Sequence, residues 1–282
     1  MSRVGASRKI EPSKAILTGL MSLLATLQLF PLLWLLNFSL VSNSDLYVSG
    51  ILVWPKKLLF ENYVDAWTKG KIPAFMLHSL IVASATILLT VVLALMLSYA
   101  IARMKWKLSK ICLTYVLLGI MIPIHATLVP NFIVFQKLHL LNTYAALILP
   151  YVAFNMPVAV FVLTGYLKTI PKELEEAAVI DGCGVYRIIF NILLPIMKPA
   201  VVTVVIMTFM SCWNEYIMAL TYLIGDKLYT LPFSVMLFIG YHSSNYVVQL
   251  AVMMLSALPA LVMYFLFNEQ ITKGVTTGAI KG

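Results

Sequence analysis

The residues able to do chemistry gather in two places. One is the stretch 171–199, PKELEEAAVIDGCGVYRIIFNILLPIMKP, where Glu173, Glu175, Glu176 and Asp181 stand beside regular apolar spacing. The other is the apolar run around Glu215, which also holds Ser211, Trp213 and Asn214. Neither carries a catalytic set. No Ser/His/Asp or Cys/His arrangement stands out, and no paired carboxylates occupy an apolar run for a proton relay. A Gly-x-x-x-x-Gly-Lys-Ser/Thr loop is absent, so this chain is not expected to hydrolyse ATP alone. Cys112, Cys183 and Cys212 lack metal-ligand spacing, and His125 has no partner ligand near it, so neither a metal nor a disulfide is expected. What remains is charge and hydrogen bonding rather than bond making.

The elements that must position these groups follow from local signals. Pro171 suits the first turn of a helix, and Glu173, Glu175 and Glu176 then lie near the positive end of its dipole. Leu174, Ala177, Ala178 and Asp181 fall at i, i+3, i+4, i+7, so one side carries small residues beside a leucine and a second backbone can approach it closely. Gly182-Cys183-Gly184 interrupts the helix. Val185, Ile188, Ile189, Ile192 and Leu193 restart an apolar face that Pro195 and Pro199 are expected to stop. The predicted shape is helix, break, helix.

Around this stretch the chain reads as membrane. Of its 282 residues 61% are hydrophobic and 11% charged, with a mean hydropathy of +0.94. That balance predicts an all-α, polytopic membrane protein in a lipid bilayer, a single domain over 1–282. Six spans are expected at about 15–41, 78–102, 111–135, 144–167, 200–223 and 247–267. The first is read as uncleaved, because its core is long and no Ala-x-Ala follows it. Residues 42–75 are expected to form turns and short interfacial helices, and Pro123 and Pro130 to kink the third span near its outer end. Ser79, Ala83, Ala85 and Thr86 are read as packing residues. With this topology, one side holds Arg3, Arg8, Lys9, Lys14, Arg103, Lys105, Lys107, Lys110, Lys168, Lys172, Arg187, Lys198, Lys273 and Lys281, against Lys56, Lys57, Lys69, Lys71, Lys137 and Lys227 on the other. Both termini and the loop 168–199 are thereby assigned to the cytoplasm, and the net charge of +9 needs no nucleic-acid partner.

The loop resembles the coupling loop of ABC importer permeases in Glu176-Ala177-Ala178, Asp181-Gly182 and Ile192-Leu193-Leu194-Pro195. Pro171-Lys172-Glu173-Leu174, Leu140 to Tyr144, Trp213 to Tyr216 and Gly274 to Gly282 extend the resemblance to the sugar-uptake branch, similar to the smaller permease of maltose transporters. Asn268 to Thr272 departs from that pattern, where relatives tend to have Gln with aromatic residues. The resemblance implies a bacterial or archaeal cell-membrane subunit that pairs with a second permease and sits on two ATPase subunits. A binding protein outside the membrane would deliver the substrate, a sugar or oligosaccharide. ATP and Mg would sit on the ATPases, with no cofactor on this chain. Glu173, Glu176, Ala177, Ala178, Asp181 and Gly182 would receive the ATPase motion, and alternating access would follow from it. An ion-coupled secondary transporter is the alternative of a different class, and a glycerol-phosphate-like or polyol substrate is an alternative within the importers.

Within the spans, Glu215 is the only acid, and a charge at a bilayer centre costs on the order of 3 kcal/mol. Ser211, Asn214, Glu215 and Met218 repeat at i, i+3, i+4, i+7, which on one continuous helix puts the polar atoms on one face. Two readings stand side by side. Either the face lines a substrate cavity, with Trp213 stacking on a sugar ring and Asn214 and Glu215 bonding hydroxyls, or these groups bond neighbouring helices. Asn155, ahead of Pro157, is read chiefly as a partner for a backbone carbonyl that the proline frees, with substrate contact as the lesser role.

Overall fold

A computed structural model describes residues 12–49, 53–104, 106–225, 227–240 and 245–279. It is helical, with no strand among the described residues, as the hydropathy implies. Arg3, Arg8, Lys9, Lys105 and Lys281, used in the topology above, lie outside the described residues. Two compact units are present, one from residues 1–70 with 238–255 and one from 71–237 with 256–282.

In the first unit, α1 (Pro12–Phe38) is a long apolar helix, followed by the short helices α2 (Asn43–Ser49) and α3 (Glu61–Lys69). The Asn62 side chain donates to Ser39 O and Val41 O, both at 2.9 Å, which satisfies carbonyls left over where α1 ends. Asn43 Nδ2 donates to Asn245 Oδ1 at 2.9 Å within the same unit.

The second unit is built on α4 (Ile72–Ala102). Its buried residues include Ser79, Ala83, Thr86, Thr90, Ala94 and Ser98, small side chains repeating at three- and four-residue spacing, beside larger ones such as Phe75, Leu95 and Tyr99. Small side chains let neighbouring backbones come close. Against α4 the chain packs α5 (Ser109–Leu118), α7 (Ala145–Leu167) and α11 (Lys198–Trp213), and the same unit holds α6 (Leu128–Lys137), the short α8 (Glu173–Ile180), α9 (Val185–Arg187), α10 (Leu194–Ile196) and α12 (Ile217–Tyr222). α13 runs Tyr246–Ala279 and belongs to both units. Leu95, Val160, Leu163, Leu167, Ile188, Leu193 and Val204 share one buried core.

Among the described residues four helices are long and apolar enough to cross a membrane, and two bent pairs bring the number to six if each pair is one span. The bends differ from expectation in position. Ser109–Met121 and Ile124–Lys137 meet at 90°, so the break falls at Ile122-Pro123, mid-run rather than near one end. Pro130 sits inside the first turn of α6, where a missing N–H is harmless. Beside this break, a Cβ added to Gly119 would lie 2.8 Å from Pro157 Cγ, so the glycine permits the closest approach to α7. The chain also does not stop at Pro195. A π-helix, Ile188–Leu193, runs into α10, and the turn comes at Met197, with an 85° bend before Lys198. Pro195 and Pro199 occupy first-turn positions of α10 and α11.

Candidate functional site

α8 ends as its sequence demands. Gly182 has φ +77°, a left-handed conformation that only glycine adopts freely. Its N–H donates to Val179 O at 3.0 Å, and the Cys183 N–H donates to Ala178 O at 2.9 Å. This pair of bonds is a Schellman stop, which closes the last carbonyls of the helix. Nothing lies within 4 Å of a Cβ built on Gly182, so its constraint is backbone conformation alone.

The buried side of α8 is not the one the spacing suggested. Leu174 and Ala177 are exposed, and the buried residues are Glu175 and Ala178. The cause is Arg103, at the end of α4, whose Nε lies 2.6 Å from Glu175 Oε1 and whose Nη2 donates to Ile170 O at 2.7 Å. The guanidinium draws Glu175 inward and takes Ala178, three residues on, with it. Of the predicted loop residues, Glu173, Glu176, Ala177, Asp181 and Gly182 are exposed and only Ala178 is buried. Between them the tip presents Val179 at 60%, Ile180 at 86% and Tyr186 at 68% exposure. Acids rim an uncovered apolar knob on a helix anchored from behind.

Around Glu215 one helix does not exist. α11 stops at Trp213, Asn214 to Tyr216 form a break, and α12 starts at Ile217. Glu215 turns back as a cap, its Oε1 accepting the Met218 N–H at 2.7 Å and its Oε2 the Ala219 N–H at 3.3 Å. Tyr151 of α7 donates to Oε2 at 2.5 Å. The carboxylate thus sits at a helix N-terminus, where unpaired N–H groups favour a negative charge. The predicted common face of Ser211, Asn214, Glu215 and Met218 is lost with the continuous helix, and Met218 is fully buried.

Trp213 corrects another expectation. Its indole is 3% exposed, stacks on Phe209 with centroids 5.1 Å apart, and donates from Nε1 to Ser256 O at 3.0 Å, so it offers no free ring face. Asn155 does bond a carbonyl, that of Tyr151 at 2.8 Å, which is not the carbonyl four residues before Pro157. Its Nδ2 also lies 3.5 Å from Ser211 Oγ. Asn214, exposed, donates to Met210 O at 2.9 Å. Asn155 and Ser211 therefore come together, with Asn214 following Ser211 in the chain, while Glu215 and Trp213 are committed to the fold. Arg103 and Tyr151 are the residues to which sequence reasoning gave no part in either region, and Glu175 was read only as one of three acids at the start of α8.

The motif Leu140 to Tyr144 also has a local job. Asn142 has φ +57°, its N–H donates to Tyr222 O at 2.9 Å, and its Oδ1 accepts the Ile224 N–H at 3.2 Å, tying the α6–α7 connection to the end of α12. Among the described residues no group of His, Cys, Asp or Glu could hold a metal ion, and the three cysteines are free.

Comparison with known proteins agrees with the family resemblance. The chain is 32% identical to the sulfoquinovosyl glycerol transport system permease protein SmoH of Agrobacterium fabrum, over 93% of this chain and 92% of that one. It is 31% identical to the trehalose/maltose transport system permease protein MalG of Thermococcus litoralis, over 92% and 94%. Its fold matches a chain from the crystal structure of a bacterial ABC transporter that imports alginate, with a TM-score of 0.79, 18% identity and coverage of 93% and 99%. The family model described as "binding-protein-dependent transport system inner membrane component" matches residues 91–275. The chain belongs to this family, as a multi-pass permease subunit of an ABC importer that works with ATPase and substrate-binding components and is not itself an enzyme.

Proposed function

We propose that this permease subunit imports a sugar or oligosaccharide, and that α8 with the turn at Gly182 is the surface on which one ATPase subunit docks. One observation carries the docking reading. α8 buries only Glu175 and Ala178 against the spans and leaves Val179, Ile180 and Tyr186 uncovered among Glu173, Glu176 and Asp181. An exposed apolar knob with a charged rim has the make-up of a protein interface. ATP and Mg act on the ATPases, whose closure moves α8, and the spans rock between inward-facing and outward-facing states.

A second permease completes the path. Asn155, Ser211 and Asn214 present polar groups from otherwise apolar helices, and such groups facing hydrocarbon are disfavoured, so a partner chain or a water-filled cavity covers them. Their amide and hydroxyl groups suit sugar hydroxyls, and the relatives named for a glycosylated glycerol and for trehalose and maltose support that class. Both termini face the cytoplasm, supported by the excess of Lys and Arg on the loops of that side.

The test is uptake into proteoliposomes holding this chain with its partner permease, ATPase and binding protein. Uptake that needs enclosed ATP and the binding protein is expected. Uptake driven by an ion gradient alone would replace the reading with a secondary transporter.

A further inference from the structure

Arg103 joins three elements. Its backbone N–H donates to Tyr99 O at 2.9 Å at the end of α4, its Nη2 to Ile170 O beyond α7, and its Nε faces Glu175 Oε1 in the first turn of α8. The two side chains are 6% and 11% exposed.

α8 has eight residues and buries two. Ala178 contributes one methyl group to the core, and the polar link is the other buried contact of this helix. A buried ion pair is seldom the most stabilising choice, because apolar residues of similar volume hold two helices as well or better. Packing alone therefore gives no reason for an Arg and a Glu here. The Nε–Oε1 contact is also off the N–H axis, so neither atom has a well-aligned hydrogen bond, and the pair is held by charge rather than by a two-pronged fork. Charge attraction tolerates a change of angle that a fork would not.

We propose that Arg103 and Glu175 are positioning residues that carry the movement of α8 into α4 and the end of α7. The inference rests on the docking reading above, and places the transmission step at a site behind the docking surface.

The test compares Arg103→Lys, Glu175→Gln and the apolar double variant Arg103→Met/Glu175→Leu in the reconstituted importer, measuring uptake and ATP hydrolysis in the same vesicles. The double variant leaves no buried charge unpaired, so it is expected to assemble and its ATPase partners to keep hydrolysing ATP. Uptake per ATP should fall on the order of tenfold, within the usual range of coupling between sites. Arg103→Lys keeps the charge but one ammonium cannot hold Glu175 and Ile170 O in the same way, so a smaller fall is expected. An assembled double variant with the wild-type ratio would overturn the proposal. Should that variant fail to assemble, a wild-type ratio in Arg103→Lys would overturn it equally. Ile180→Asp, at the tip, tests the docking reading separately. Wild-type assembly and uptake in that variant would remove the docking reading, whatever the ratio measured at Arg103.

Discussion

Glu175 and Glu215 are acids drawn into the same unit, and the fold satisfies them by opposite means. Glu175 meets a full positive charge on Arg103, at the end of the spans. Glu215 meets no cation among its recorded partners. Two backbone N–H groups of α12 and the Tyr151 hydroxyl hold it instead. The first arrangement links elements that are far apart in the chain through an attraction that survives rotation. The second builds a fixed corner, because hydrogen bonds to a helix N-terminus are directional and local. The difference separates a joint from a brace, and it argues against treating every acid near a span as a substrate contact.

The largest effect expected from breaking this comparison is at the joint. Arg103→Met alone strands a buried carboxylate and should cost about 3–5 kcal/mol, seen as a lower melting temperature of the detergent-solubilised complex. Adding Glu175→Leu should restore most of that loss. At the brace the effect should be smaller, since Tyr151→Phe removes one charge-assisted bond and leaves two N–H donors. A loss of roughly 1.5–3 kcal/mol is expected by the same melting measurement. A Tyr151→Phe loss exceeding that of Arg103→Met would reverse the assignment of joint and brace.

Next comes the helix stop. Gly182→Ala must hold φ +77° with a Cβ and should destabilise by about 1–2 kcal/mol, although nothing crowds the new atom. Gly182→Asn, which visits this conformation more readily, should cost less, and amide exchange at Gly182 and Cys183 should report the difference. Equal losses would mean that something other than backbone conformation matters at this turn. The smallest change in stability is expected from Asn214→Ala, within ~0.5 kcal/mol because the residue is exposed. Its effect should appear instead as a raised KM for uptake.

The helices and the two regions of interest were legible in the sequence, because long apolar runs and Gly-rich stops act locally. The breaks were legible only in part. Pro123 signals a kink, and the chain does bend beside it, but the bend is sharper and falls earlier in the run than the prolines suggest. Between Asn214 and Tyr216 there is no Pro or Gly to read. The break goes with Glu215 capping the next turn, a local contact that Tyr151 of another helix supports. The orientation of α8 was hidden for a similar reason. Glu173, Glu175 and Glu176 are alike in type and share one helical turn, and only Arg103, distant in sequence, selects which of them turns inward. Trp213 illustrates the reverse, an aromatic whose chemistry suits a sugar but whose ring the fold consumes against Phe209.

The most direct test of docking at α8 is photo-cross-linking from position 180, the most exposed apolar side chain of the loop. A photoreactive residue there, in the assembled importer, should form its main adduct with the ATPase subunit, and ATP should change the yield as the ATPase pair closes. A cross-link only to lipid or to the partner permease, from a complex that still transports, would contradict the account.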